Sequence, residues 1–65
     1  MISYDPLLKT LKERNMTISD LRGVVLDGKT IAKFNKGESL KLSTVERICK
    51  FLKVPIEKVV YIEYK

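Results

Sequence analysis

The chain has a single cysteine, Cys49, and no histidine, and these two facts limit how so short a sequence can be stabilised. A domain of this size buries only about 60% of the surface that its unfolded chain exposes, so its core is thin. Such domains usually rely on disulfides, a structural metal, tight helix packing or a partner. One cysteine excludes an intrachain disulfide, and the lack of ligands excludes a zinc site. We therefore predict one domain over residues 1–65, built from packed helices, without a metal or cofactor.

Composition and charge narrow the class of protein further. Apolar residues make up 45% of the chain, with three glycines and two prolines, which is typical of a globular domain. The apolar runs are too short to span a membrane, and the first residues lack the basic and apolar regions of a signal peptide. We therefore expect a cytoplasmic protein. A net charge of +5 favours an anionic partner.

Apolar residues recur at helical spacing in five segments, which predicts five short helices and an all-α fold. The segments cover about residues 6–14, 18–24, 28–35 and 43–53, and the last one starts at Pro55. The clearest pattern lies in the fourth segment, where apolar residues fall at i, i+3, i+4 and i+7: Val45, Ile48, Cys49 and Leu52. The apolar residues of the fifth segment are Ile56, Val59 and Val60.

Residues that can cap helices precede three of these segments. Asp5 stands directly before Pro6, an arrangement that opens helices. Thr17 is followed three residues later by Asp20, as in a capping box. Asp27 precedes the third segment and is a suitable N-cap for it. These residues predict where the first three helices begin.

Both ends of the chain alternate apolar and polar residues, as strands do. Residues 2–4 and 61–64 are rich in isoleucine and tyrosine, which are common in strands. They are therefore predicted to form a small two-stranded sheet, either within one chain or across a dimer.

The third predicted helix has two chemically different faces. Ile31 and Phe34 share one side, and the opposite side carries a basic group of residues, Lys29, Ala32, Lys33 and Lys36. Lysines can donate to guanine or to phosphates, and an alanine methyl can contact a thymine methyl, so this face suits the DNA major groove. The alternative is a basic face that is simply solvated.

Three segments carry a resemblance to a known family: Met16–Arg22, Thr30–Glu38 and Val45–Leu52. In this order and spacing, the chain resembles the phage Cro/repressor-type helix-turn-helix domains, in particular small stand-alone regulators. The resemblance covers nearly the whole chain. It implies a lambda-repressor-like fold in which the second and third helices form the helix-turn-helix.

The resemblance also implies a function and a set of site residues. The function is that of a sequence-specific transcription regulator, which binds double-stranded DNA as a homodimer that forms in solution or only on DNA. The residues expected to read bases are Gly28, Lys29, Ala32 and Lys33. Those expected to contact phosphates are Thr17, Arg22, Lys36 and Lys41. Two features depart from the family: the ten-residue interval from Leu21 to Ile31 is one residue short, and Val24-Val25 replace a small residue in the turn.

Other classes of function have less support from the residues. Cys49 lies on an apolar stripe with no histidine to act as a base, and the carboxylates are scattered, so no enzyme is predicted. A protein-binding module, such as an antitoxin-like partner, is the alternative, with Val59–Tyr64 as its contact surface. A basic domain that binds anionic surfaces without sequence preference is a second alternative. No small-molecule ligand is expected.

Overall fold

The computed structural model describes residues 1–64 and contains three α-helices, two short 3₁₀ helices and two short strands. The α-helices are α1 (Asp5–Glu13), α2 (Gly28–Asn35) and α3 (Leu42–Leu52). The first 3₁₀ helix is Ile18–Leu21 and the second is Ile56–Lys58. The strands are β1 (Ile2–Ser3) and β2 (Tyr61–Ile62). The prediction of a mostly helical helix-turn-helix fold is confirmed, whereas the prediction of five helices is wrong.

The second predicted helix, over 18–24, is reduced to the first 3₁₀ helix followed by a turn. Gly23 has a φ of +79°, a left-handed conformation that ends any right-handed helix. The chain then folds back on itself, because the N–H of Gly23 donates to the carbonyl of Leu26 at 2.8 Å. The N–H of Leu26 donates in turn to the carbonyl of Leu21 at 3.0 Å. The shortened interval before α2 is therefore a tight hydrogen-bonded turn.

The fifth predicted helix is the second 3₁₀ helix, which packs against α1 and α3. Directly after it, the Val59 carbonyl accepts the N–H of Leu7 at 3.1 Å, which ties the chain to α1. Val59 is fully buried, as its spacing predicts, but Ile56 is half exposed. With only three residues in this helix, its apolar side chains do not all reach the core.

The ends of α1 are set by local hydrogen bonds. The helix begins at Asp5, one residue before the predicted start, and Asp5 is its first residue and not its cap. The backbone N–H of Asp5 donates to the Ser3 hydroxyl at 3.2 Å. At the other end, Asn15 has a φ of +56°, and the N–H of Met16 donates to the carbonyl of Leu11 at 2.8 Å. This pattern is a Schellman motif, in which asparagine takes the place of the usual glycine.

The core lies where the three α-helices and the two 3₁₀ helices meet. Its buried apolar residues are Leu7, Leu11, Leu21, Leu26, Val45, Ile48, Leu52 and Val59. Three of the four residues in the fourth predicted segment's stripe are therefore buried, and Cys49 is half-buried beside them. Burial raises the pKa of the Cys49 thiol, which keeps it in its neutral, unreactive form.

The predicted pairing of the two chain ends is confirmed and lies within one chain. Strands β1 and β2 are antiparallel, with Ile2 opposite Ile62. The pairing continues past β2, since the N–H of Glu63 donates to the carbonyl of Met1 at 2.8 Å. No helix within residues 1–64 combines the length and the apolar character needed to cross a bilayer.

Candidate nucleic-acid interface

The start of α2 is set by its N-cap, Asp27. The Asp27 carboxylate Oδ1 accepts the backbone N–H of Thr30 at 2.7 Å, which satisfies one of the free donors of the first turn. The Thr30 hydroxyl and this backbone N–H lower the pKa of Asp27, and the nearby charge of Lys29 lowers it further. Asp27 is therefore an ionised cap at neutral pH, and the predicted start of the helix at residue 28 is confirmed.

The end of α2 is set by Gly37. Gly37 has a φ of +79°, which a residue with a side chain adopts only at a cost. Its N–H donates to the carbonyl of Phe34 at 3.1 Å, and the N–H of Glu38 donates to the carbonyl of Lys33 at 2.9 Å. These two bonds form a Schellman motif, which fixes the direction in which the chain leaves the helix.

One face of α2 packs on the core and the other is exposed. Ile31 and Phe34 are half-buried and pack against the core, as predicted. The ring of Phe34 also packs against Tyr4, with ring centroids 5.6 Å apart and planes inclined at 55°. No residue of α2 is fully buried, so the helix lies on the surface and presents its basic side to solvent.

A polar groove of about 400 Å³ separates α2 from the first half of α3. We call it the basic groove, because four cationic side chains line it: Lys29, Lys33, Lys41 and Arg47. Hydroxyl groups add further hydrogen-bonding capacity along its walls: Thr30, Ser39, Ser43 and Thr44. Asp27 is the one carboxylate among the residues that line the groove within the described chain, 1–64. The groove therefore offers many donors and a positive potential to an anionic ligand.

The structure brings together some of the predicted site residues but not all of them. Lys29, Lys33 and Lys41 line the basic groove, and Lys41 is also the N-cap of α3. Arg22 lies beside the groove's start, because a Cβ at Gly28 would be only 3.4 Å from Nη2 of Arg22.

Arg22 and Gly28 do not line the basic groove, and neither do the remaining three predicted residues. Ala32 and Lys36 are exposed on α2 and directly after it. Thr17 is exposed at the start of the first 3₁₀ helix, where its N–H donates to the Asp20 carboxylate at 2.8 Å. That bond supplies the carboxylate half of the predicted capping box.

Sequence reasoning missed three residues of α3 that face the same groove, Ser43, Thr44 and Arg47. Arg47 and Thr44 line the basic groove and also the shallower groove beside the turn of residues 23–26. They are three positions apart, so they lie on one flank of α3, away from the buried stripe. That spacing was available in the sequence, but only the packing of α2 on α3 shows that this flank adjoins the basic face.

Comparisons with known proteins agree with this architecture. Residues 7–63 match the Cro/C1-type HTH DNA-binding domain family. The chain is also similar to the crystal structure of the transcriptional regulator VanUg, at 29% sequence identity and a TM-score of 0.86. That similarity covers 98% of this chain and 87% of the other. No curated protein sequence matches the chain. Because the family match spans most of its length, the chain belongs to the Cro/C1-type HTH DNA-binding domain family.

Proposed function

We propose that the protein regulates transcription by placing α2 in the major groove of a specific DNA sequence. The observation that carries this proposal is the basic groove, in which cations from α2, from the following loop and from α3 face one space. Duplex DNA is a dense linear array of negative charge, so the positive charge of the basic groove is complementary to it. The VanUg structure, which matches almost the whole chain, is that of a transcriptional regulator.

The exposed side of α2 has the chemistry needed to distinguish bases. Lys29 and Lys33 lie one helical turn apart, and both line the basic groove, so both reach the same side of the helix. Lysine donates to guanine O6 and N7, and the Ala32 methyl suits a thymine methyl. Gly28 adds no side chain at the first position of the helix, so the backbone there can come close to a base edge. We assign base reading to these four residues.

Other side chains surround this reading surface and suit the phosphate backbone. Arg22 lies beside Gly28, Lys36 follows the end of α2, and Lys41 caps α3. Thr17 directly precedes the first 3₁₀ helix and is exposed, so its hydroxyl can donate to a phosphate. Phosphate contacts of this kind hold a protein in register and carry no sequence information themselves. We assign this role to these four residues and add Arg47.

A homodimer would double the length of DNA that is read. A lone domain of this size covers only a few base pairs, and two copies usually occupy half-sites about 34 Å apart. Exposed apolar side chains that suit a protein contact lie on the terminal sheet and just after it: Ile2, Tyr61, Ile62 and Tyr64. We propose that a second copy binds there, with the antitoxin-like partner as the alternative.

We propose no catalysis, and we place the protein in the cytoplasm with the DNA that it regulates.

Selection of bound sites from a random pool of duplex DNA tests the proposal. We expect an enriched sequence with two inverted half-sites, because a two-fold dimer reads a palindrome. Lys9→Ala is a charge-matched control for substitutions in the basic groove, because Lys9 lines a different groove next to Glu57 and Lys58. Binding without any enriched sequence would contradict a regulator and favour the loosely binding alternative. No binding to DNA would favour the protein-binding alternative.

A further inference from the structure

Asp27 is the only negative side chain along the basic groove in residues 1–64, and its charge is unexpected on a surface that binds DNA. It is exposed and lies in both the basic groove and the neighbouring groove beside the turn. A carboxylate facing phosphates is repelled, and each repulsion weakens binding to every DNA sequence alike. Its presence therefore calls for an attractive interaction that compensates for this repulsion.

Capping α2 accounts for a polar residue at this position, and the helix N-terminus stabilises its charge only modestly. Asparagine and serine cap helices about as well as aspartate does, and neither repels phosphate. The Thr30 backbone N–H occupies Oδ1 at 2.7 Å. An ionised carboxylate has about four lone-pair sites on its two oxygens, so the Thr30 donors leave acceptor capacity unused. The remaining capacity is available to a donor that arrives from outside the protein.

The bases offer few donors of this kind in the major groove. They are the exocyclic amino groups, N4 of cytosine and N6 of adenine. Adenine also presents N7, an acceptor that lies beside N6 and repels a carboxylate, whereas the cytosine edge has no acceptor next to its N4. Cytosine is therefore the base that a carboxylate at this position favours.

Asp27 stands where a recognition helix meets the bases. It immediately precedes α2, and the N-terminal residues of a recognition helix are those that contact base edges. Lys29 is two residues further along the chain and lines the same basic groove. The two side chains thus present an acceptor and a donor at the same end of the helix, which matches the amino group of cytosine and the acceptors of its paired guanine.

We propose that Asp27 is a specificity-determining residue, which accepts a hydrogen bond from N4 of a cytosine in the major groove. The inference rests on the proposed function, because it requires α2 to lie in that groove. Asp27 then has two roles: it caps the helix with Oδ1 and selects a base with its remaining lone pairs. The carboxylate lowers affinity for DNA in general and recovers the loss only at sites that place cytosine opposite it.

Site selection with the wild type and Asp27→Asn tests this directly. Asparagine keeps the cap and the side-chain shape but removes the charge. We expect Asp27→Asn to lose the cytosine preference at one position of each half-site and to keep the preferences elsewhere. Its affinity for the wild-type site should fall on the order of tenfold, the effect of one good base contact. Its affinity for unrelated DNA should rise, because one repulsive charge has been removed.

Asp27→Ser provides a second variant that also caps the helix and has no charge. It should lose the same cytosine preference, and circular dichroism should show that both variants keep the helical content of the wild type. An unchanged enriched sequence in folded Asp27→Asn would overturn the inference and leave Asp27 as a cap alone, while the proposed function would stand. A wild type that enriches no sequence would overturn the proposed function and the inference together.

Discussion

The Tyr4 hydroxyl accepts a hydrogen bond from the backbone N–H of Leu40 at 2.8 Å, although the two residues are 36 positions apart. Tyr4 stands between β1 and α1, and Leu40 lies in the loop between α2 and α3, next to Lys41. The Tyr4 ring also packs on Phe34 of α2. The amino-terminal segment therefore holds both the end of α2 and the loop that leads to the basic groove.

Replacing Tyr4 with phenylalanine should keep the ring packing and remove the hydrogen bond. The half-buried N–H of Leu40 then lacks its partner, and we expect a loss of about 1 kcal/mol in the free energy of unfolding. Lys41 is the next residue after Leu40, so the lost bond should also leave Lys41 less well positioned. We therefore expect a lower affinity for DNA even at 25 °C, where the variant is still folded. Urea melts and DNA titrations measure the two effects. Unchanged DNA affinity in Tyr4→Phe would show that the bond stabilises the fold without positioning the loop.

Thr10 is the one buried polar side chain of residues 1–64, and its hydroxyl donates to the carbonyl of Lys58 at 2.8 Å. Valine has nearly the same shape but no donor, so Thr10→Val leaves that carbonyl without its partner. We expect a loss of about 1–3 kcal/mol in the free energy of unfolding, measured by urea denaturation. A variant as stable as the wild type would mean that water reaches the Lys58 carbonyl and replaces the bond.

The limits of α2 and α3 could be predicted from the sequence almost to the residue. The limits of α2 follow from Asp27 and Gly37, whose roles need no tertiary information, because a side-chain cap and a left-handed glycine act locally. The limits of α3 follow from an apolar stripe that is long enough to define a period. The basic face of α2 could also be predicted, because helical spacing places its lysines opposite Ile31 and Phe34.

The two 3₁₀ helices could not be distinguished from α-helices in the sequence. A segment of three or four residues spans one turn, so its apolar spacing fits either geometry. The outcome depends on hydrogen bonds made outside these helices, namely the tertiary bond from Leu7 to Val59 and the local turn bond from Gly23 to Leu26. Arg47 was not predicted as a site residue for a related reason, because its place in the basic groove depends on how α2 packs on α3.

The ionised form of Asp27 should stabilise α2 in a pH-dependent way. The Thr30 hydroxyl and backbone N–H hold the pKa of Asp27 below its ordinary value of 3.8. A lowered pKa means that the stabilisation is complete above the unfolded value and is lost as the pH falls through the folded value. The stability difference between wild type and Asp27→Asn should therefore be constant above about pH 5 and shrink in more acidic solution. A difference that grows on acidification would contradict the lowered pKa.

Ile48 is fully buried at the centre of the stripe on α3. Ile48→Ala removes buried methyl and methylene groups and leaves a cavity, so we expect a loss of about 2–5 kcal/mol, enough to unfold much of so small a domain. Thermal and urea melts measure the loss. Glu46→Ala, on the exposed side of the same helix, is the control and should change stability by less than about 0.5 kcal/mol. A loss below about 1 kcal/mol for Ile48→Ala would contradict the assigned core.

The central claim is that α2 reads bases while the residues after it hold phosphates. Titrations of Lys33→Ala and Lys36→Ala on the selected site and on unrelated DNA, at several salt concentrations, test it most directly. Lys33→Ala should lose about 1–3 kcal/mol of binding free energy on the selected site and much less on unrelated DNA. Lys36→Ala should weaken binding to both DNAs alike. It should also reduce the slope of log affinity against log salt concentration by about one unit. Equal losses on both DNAs for Lys33→Ala would show that α2 does not read bases.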